Sequence, residues 1–275
     1  MAMWGRDTPW RQGCLLPDDA VRSVLPGAPS AAIMVAVSHD CDIAQSPEVE
    51  PVVEVIDGRS IEAVDGNFTF AKNARRLHLT LTGGRQQLTV DLEASRKLAI
   101  TKQRLGNYEP VENVGLTVSE LTILQRWLAA RYRRAAFPDE FDRRLGATGL
   151  RDQLSRILKS NGALISALYF DVDEGREVSR LGDDDPYMIA IYILFSADSE
   201  AAETAANSAK TAIERAFWDK CFSEVGREWR EIELVACEAI SDQAMTVQQA
   251  ESLKRWSADH ISLRTDPPQP MVNNE

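Results

Sequence analysis

The stretch Ala31–Asp42, AAIMVAVSHDCD, joins a short apolar run directly to a cluster of reactive polar side chains. Ala31–Val37 contains only aliphatic residues and a methionine, whereas Ser38–Asp42 carries a hydroxyl, an imidazole, a thiol and two carboxylates. A short apolar run that ends abruptly in polar residues is typical of a buried strand that delivers its last side chains to a sheet edge. We therefore expect the first half of the fold to be organised around this strand, and any active centre to lie at Ser38–Asp42.

The side chains that follow the strand are compatible with several kinds of chemistry. In an extended strand Asp40 and Asp42 share one face, where their carboxylates would suit a divalent cation such as Mg²⁺. His39 and Cys41 on the other face could supply two of the four ligands that Zn²⁺ needs, and Cys41 could be a nucleophile if a base touched it. The structural alternative is that Ser38 and the aspartates accept backbone N–H bonds and tie down a turn.

A second histidine lies on a predicted strand beside two arginines. In the sequence RRLHL, Arg75 and Arg76 could hold a phosphodiester anion while His78 transfers a proton. The alternative is an exposed strand with solvated arginines. We predict that this strand meets Ser38–Asp42. The candidate catalytic residues are then Ser38, His39, Asp40, Asp42 and His78, and the candidate substrate-binding residues are Arg75, Arg76 and Cys41.

The rest of the chain divides into a strand-rich half and a mixed half. Short strands with turn residues between them predict a small SH3-like β-barrel over residues 1–106. The strands are predicted at Cys14–Leu16, Pro51–Ile56, Phe68–Phe70, Arg76–Leu81 and Gln87–Leu92. Residues 107–264 predict helices followed by a ββαβ unit, so the whole chain is expected to be α+β. Residues 265–275 are polar and proline-rich and are expected to be disordered.

The elements of the second half follow from hydrophobic spacing. Apolar residues at helical spacing predict helices over residues 119–132 and 150–158. The ββαβ unit is predicted at Ala163–Val172, Tyr187–Phe195, Ser199–Phe222 and Glu231–Ile240, followed by a last helix at Val247–Trp256. The boundary between the halves is placed at Gly106–Gly115, where glycine, proline and asparagine interrupt both periods.

The opening of the chain resembles the MazF/PemK-type small-barrel toxins. The resemblance covers residues 12–56 and rests on QGCLL (Gln12–Leu16), a Pro/Gly loop, AIMVAVS (Ala32–Ser38) and VVEVI (Val52–Ile56). It implies an SH3-like barrel that cleaves RNA, with Gly13 and Ser38 at family-like positions. The basic residue of the family's first loop has no counterpart in Pro26–Ser30. The family is also a single short domain, without the mixed second half.

Composition limits the classes of function. No apolar run approaches membrane-spanning length, and the N-terminus lacks the apolar core of a signal peptide. We therefore expect a cytoplasmic protein that does not associate with a membrane. The four cysteines form no CxxC pair, which fits a reducing compartment. The net charge of −11 argues against a general nucleic-acid coat. Residues 72–104, however, hold eight basic and two acidic residues, and residues 126–159 hold nine and four.

Three functional hypotheses remain open at this stage. The first is a protein that acts on RNA or DNA, such as a toxin- or phage-defence-type nuclease. The second is a metal-dependent hydrolase centred on His39, Asp40 and Asp42, with a divalent cation as cofactor. The third is a non-catalytic binding or regulatory protein with a protein partner. Composition leaves the oligomeric state undecided.

Overall fold

The structure is a computed structural model that describes residues 4–27, 32–83, 86–130, 132, 137–173, 180, 182 and 184–256. It is a mixed α+β fold, as predicted, with two four-stranded sheets. The first half contains α1 (Asp18–Val24), β1 (Ala32–Ala36), α2 (Asp40–Ile43), β2 (Val52–Ser60), β3 (Arg76–Gly83), β4 (Gln86–Thr101), α3 (Lys102–Leu105) and α4 (Val118–Ala130).

The second half contains one long helix among several shorter helices and strands. Its elements are α5 (Asp139–Ala147), α6 (Leu150–Asn161), a 3-10 turn (Gly162–Leu164), β5 (Ile165–Val172), β6 (Tyr187–Phe195), α7 (Glu200–Cys221), β7 (Phe222–Ser223), β8 (Glu228–Trp229), β9 (Ile232–Ser241), α8 (Val247–Ser252) and β10 (Lys254–Arg255). No helix among the described residues is both long and apolar enough to cross a membrane.

The first sheet has the order β1-β2-β4-β3 and is antiparallel throughout. Within the described residues no sheet closes into a barrel, and the small SH3-like barrel predicted for this half is not seen in the strand order. Side chains alternate between its two faces. One face packs Leu77, Leu79 and Leu81 against α4, whereas Met34 and Val53 pack on the other side with Trp10. Because α4 packs on the first sheet, it belongs by contact to the first half, although the predicted boundary precedes it.

The second sheet has the order β10-β5-β6-β9. β5 and β6 are antiparallel, and α7 crosses over to place β9 parallel to β6, which is the predicted ββαβ order. The apolar stripe of α7 is buried against this sheet. β6 spans the predicted residues because its alternate side chains are large and apolar and enter the same core.

Several predicted elements are wrong in extent or type. Cys14–Leu16 forms only an isolated bridge, at Leu15, and the strand predicted at Gln87–Leu92 continues to Thr101. Phe68–Phe70 is a loop and not a strand, and Phe70 and Ala71 have φ values of 52° and 56° in the left-handed region. The last helix ends at Ser252 and not at Trp256, because Trp256 is buried and stacks on Phe170 at a ring-centroid distance of 5.1 Å. The tail predicted at residues 265–275 lies outside the described residues.

The two halves meet at a joint formed by Gly66–Lys72 and Gly162–Ser166. Lys72 is only 1% exposed, and its ammonium donates to the carbonyls of Gly162 (2.8 Å) and Ile165 (2.7 Å) and to Oγ1 of Thr69 (2.9 Å). The two carbonyls lie just beyond the C-terminal end of α6, where a cation is favourable. Burial nonetheless lowers the pKa of Lys72 well below its usual value.

The joint also depends on a close approach of two glycines. A Cβ atom at Gly66 would collide with the carbonyl of Leu158 and would lie 2.8 Å from the Cα of Gly162. A Cβ atom at Gly162 would likewise lie 2.8 Å from the carbonyl oxygen of Gly66. Asn67 donates to the carbonyl of Ser155 (3.0 Å) across the same surface. Only hydrogen can occupy the facing positions of these two glycines.

We therefore expect Gly66→Ala to destabilise the protein by about 2 kcal/mol or more, since the added methyl group meets backbone that cannot rotate away. Gly115→Ala is the control, because no atom lies within 4 Å of a Cβ atom at Gly115. Its effect should stay within about 0.5 kcal/mol. Urea unfolding of both variants gives the comparison. Equal midpoints for the two variants would show that the backbones at Gly66 and Gly162 do not meet.

Candidate functional site

The structure places Ser38–Asp42 in a helical turn, where most of the polar atoms serve the backbone. Oγ of Ser38 accepts from the N–H of Glu54 (2.8 Å). His39 is the N-cap of α2, and its Nδ1 accepts from the N–H of Cys41 (3.2 Å). Oδ1 of Asp40 accepts from the N–H of Gln12 (2.7 Å). These are the turn-forming contacts of the structural alternative.

The remaining side chains of the turn point to solvent. Cys41 and Asp42 are exposed, and the contact that ties Asp42 to the fold comes from its carbonyl, which accepts from the buried ammonium of Lys102 (2.6 Å). Because the turn is helical, the strand-based division of these residues into two faces is wrong. Within the described residues no three His, Cys, Asp or Glu side chains are grouped to hold a metal ion.

Ser38–Asp42 and His78 lie at different ends of the first sheet. Ala36, at the end of β1, is opposite Val55 of β2. His78 is opposite Asp91 of β4, and Asp91 is in turn opposite Arg59 of β2. Val55 and Arg59 are four residues apart on one strand, which corresponds to about 13 Å. The predicted meeting of the two clusters is therefore wrong, and no shared centre exists.

His78 instead belongs to a cluster with the buried Asp91, the partly buried Arg76 and Arg59, whose side chain is 58% exposed. Arg76 makes two bonds to the carboxylate of Asp91, at 2.7 and 2.6 Å, and Nε of Arg59 bonds to the same carboxylate at 2.9 Å. Nε2 of His78 lies 3.5 Å from Oδ1 of Asp91. The ring of Phe68 covers the cluster, 5.0 Å from the imidazole and 4.7 Å from the Arg76 guanidinium.

One ring nitrogen of His78 has a hydrogen-bond partner, and the other faces a carboxylate without forming a hydrogen bond. Nδ1 accepts from the N–H of Asp65 (3.0 Å), so the neutral ring carries its proton on Nε2, which faces Asp91. Burial lowers the pKa of His78 and outweighs the opposite effect of Asp91. The imidazole is thus neutral near pH 7 and has no free lone pair with which to take a proton from a substrate.

The arginines of the cluster do not form an anion site with excess positive charge. Burial alone would raise the pKa of Asp91, but the bonds from Arg76 and Arg59 hold that pKa below its usual value. Asp65 and Glu93 also act on Arg76, so three carboxylates surround two guanidinium groups. Arg75 donates its backbone N–H to Asn73 (2.9 Å). An anionic ligand would meet repulsion here.

The basic block at residues 72–104 is largely committed to the fold. Most of its described cations are either buried or paired with acidic side chains, whereas Arg104 is exposed and bonds to Ser23. Lys72 and Lys102 are buried, and the paired groups are Arg76–Asp91, Arg96–Asp57 and Lys97–Glu54. In the second basic block Arg143 and Arg144 pair with Glu140, and Arg151 pairs with Asp142. Among the described residues of this second block, Arg126, Arg156 and Lys159 are exposed and have no acidic partner, so most but not all of the described positive charge is committed to the fold.

Sequence reasoning missed the partners of His78. Asp91 sits in the alternating run Thr89–Glu93, so its position on one face of a strand was visible. Arg59 and Asp65 lie in segments with no such pattern, and the covering ring of Phe68 was assigned to a strand. The register between β2 and β4 places Arg59 opposite Asp91 and so brings the members of this cluster together.

A different surface carries three clustered aromatic rings, of which one is exposed and two are half-buried. We call Trp218, Phe222 and Trp229 the aromatic platform. Trp218 and Phe222 are stacked with ring centroids 3.9 Å apart, and Trp229 meets both edge-on at 5.9 and 5.4 Å. Trp218 is 46% exposed, and Val225 at the tip of the β7–β8 hairpin is fully exposed. The end of α7 and this hairpin position the three rings together.

Comparisons with known protein families, with curated proteins and with solved structures find no match for this chain. The resemblance of residues 12–56 to the small-barrel toxins therefore stays a prediction.

If Ser38–Asp42 is a structural turn, His39→Ala should lower the free energy of unfolding by about 1 kcal/mol, since it removes an N-cap acceptor. Asp42→Asn, which removes an exposed charge, should change it by less than about 0.5 kcal/mol. Chemical denaturation measures both variants. A loss at Asp42 as large as that at His39 would mean that the Asp42 carboxylate has a role that these contacts do not show.

Proposed function

We propose that the protein is a non-catalytic binding protein that engages a partner protein through the aromatic platform. The stack of the exposed Trp218 on the half-buried Phe222 carries this proposal. Large aromatic side chains that remain in water are enriched among the residues that dominate protein interfaces. A stacked pair is already ordered before binding, so a partner gains the contact with little loss of side-chain entropy.

The predicted catalytic groups support the same proposal, because their acceptor atoms already accept hydrogen bonds within the fold. Ser38, His39 and Asp40 accept bonds from backbone N–H groups, and Nδ1 of His78 accepts from the N–H of Asp65. A general base needs a lone pair within hydrogen-bond reach of a substrate proton. In the neutral tautomer that these bonds require, the lone pair of each imidazole is at Nδ1 and accepts from the backbone, while Nε2 carries the proton.

The nucleic-acid hypothesis receives little support from the described basic residues. Phosphate binding needs cations that face solvent without acidic neighbours, and most of the cations described above are buried or paired. The toxin- and defence-type activities inferred from composition and resemblance depend on the same residues. A binding affinity for RNA or DNA that falls steeply with salt would revive this hypothesis.

We also propose that the first half is a variant of a small barrel. Residues 13–16 extend the β1 edge through the bond from the N–H of Leu16 to the carbonyl of Met34 (3.0 Å). The N–H of Val111 reaches the carbonyl of Leu15 (3.0 Å), and Gly115 pairs with Thr82 at the β3 edge. These contacts bring both sheet edges to one connecting segment, which supports the proposal.

A photo-crosslinking side chain placed at Val225 should form a discrete adduct with a partner protein in the source cells. Val118, which is 85% exposed on α4, is the matched control position and should give no such adduct. Adding Trp218→Ser should reduce the Val225 adduct strongly, because losing a central interface aromatic weakens affinity by roughly 30-fold. The proposal fails if the same adduct forms from Val118, or if it persists undiminished without Trp218.

A further inference from the structure

A continuous chain of hydrogen bonds connects His78 of the first sheet to α6 of the second half. Nδ1 of His78 accepts from the N–H of Asp65 (3.0 Å). Oδ1 of Asp65 accepts from the backbone N–H and from Nδ2 of Asn67, both at 2.9 Å. The same Nδ2 donates to the carbonyl of Ser155 (3.0 Å). Gly66, between these loop residues, is the glycine that packs against Gly162.

We propose that His78 is a pH-responsive element that holds the joint between the two halves closed when its imidazole is neutral and loosens it when the imidazole is protonated. The segment that responds to the protonation of His78 is the loop Asp65–Asn67, which contacts His78 at one end and Ser155 at the other. The switch is independent of the binding function proposed above.

The geometry sets the direction of the switch. A neutral His78 offers a lone pair at Nδ1, and the N–H of Asp65 points at it. A protonated imidazole has an N–H at both positions, so two donors would then face each other at 3.0 Å. The imidazole is only 5% exposed, so water cannot separate these donors without movement of the loop. The loop must therefore leave the ring, and it takes the Asn67–Ser155 bond with it.

The charged groups around the ring act in both directions. Asp91 on β4 and Asp65 in the loop favour the imidazolium, whereas Arg76 on β3 and Arg59 on β2 disfavour it. Burial of the ring has the largest effect and lowers the pKa of His78 below 6.5, its value in an open or unfolded chain. The open state therefore binds more protons than the closed state between the two pKa values. The closed joint is favoured at neutral pH and is lost progressively as the pH falls below 6.5.

Amide hydrogen exchange of the segments 61–72 and 155–166 tests the switch. The wild type is compared with His78→Asn at each pH between 7.5 and 5.0, since the asparagine carbonyl can accept from Asp65 and does not titrate. The protection of the wild type relative to the variant should fall by up to about tenfold per pH unit below 6.5. Protection that stays in constant ratio between the two proteins across this range would overturn the proposal.

A second pair of measurements keeps the test decisive if His78→Asn does not fold. In the double variant His39→Asn/His260→Asn, His78 is the only histidine, and the asparagine at position 39 retains an N-cap acceptor. The NMR titration of its single imidazole should have the same midpoint as the loss of protection in the two segments. A midpoint difference of a full pH unit would show that another group opens the joint. His78→Gln, which lacks an acceptor at the Nδ1 position, should be open already at pH 7.5.

Discussion

The ammonium of Lys72 bonds to three oxygens that carry no net charge, and it does so out of contact with water. Burying a charge is unfavourable, and the Asp65 carboxylate, although it favours the ammonium, does not outweigh the effect of burial. The three oxygens offset part of the loss of hydration, and the carbonyls beyond the C-terminal end of α6 gain a further donor. One side chain thus satisfies Gly162 and Ile165 of the second half from a loop of the first. The left-handed backbone at Phe70 and Ala71 immediately precedes this lysine.

The same loop explains why the histidine cluster is structural. Phe68 covers Arg76 and His78, and Asp65 occupies Nδ1 of the imidazole, because the path to Lys72 runs directly over this face of the first sheet. Polar groups that look available for catalysis in the sequence are thereby used to seat the loop. The same holds for Ser38–Asp42 at the other end of the sheet, where side-chain oxygens accept from the backbone N–H groups of Gln12 and Glu54. The binding function that we propose uses the surface instead, at the aromatic platform.

Local patterns predicted the elements whose side chains enter one core. β6 could be placed because its apolar residues alternate over Tyr187–Phe195, and α7 because alanines and larger apolar residues repeat at helical spacing over some twenty residues. Ser38–Asp42 could be recognised as either a site or a capped turn, and local residues could not decide between them. The loop at Phe68–Phe70 could not be predicted from local residues. Its alternation is typical of a strand, whereas the contacts of Lys72, which follows it, hold the segment as a loop. Likewise, the distance from Ser38 to His78 depends on the register of β1, β2 and β4, which no local pattern contains.

The central claim is that the Lys72 contacts join the two sheets into one cooperative unit. Native-state hydrogen exchange in increasing denaturant measures this directly, since it reports an opening free energy for amides of β3 and β4 and separately for amides of β5 and β6. The account predicts that the slowest amides of both sheets share one opening free energy in the wild type and that Lys72→Met separates the two values. Sheets that already open independently in the wild type, or that remain coupled in Lys72→Met, would contradict it.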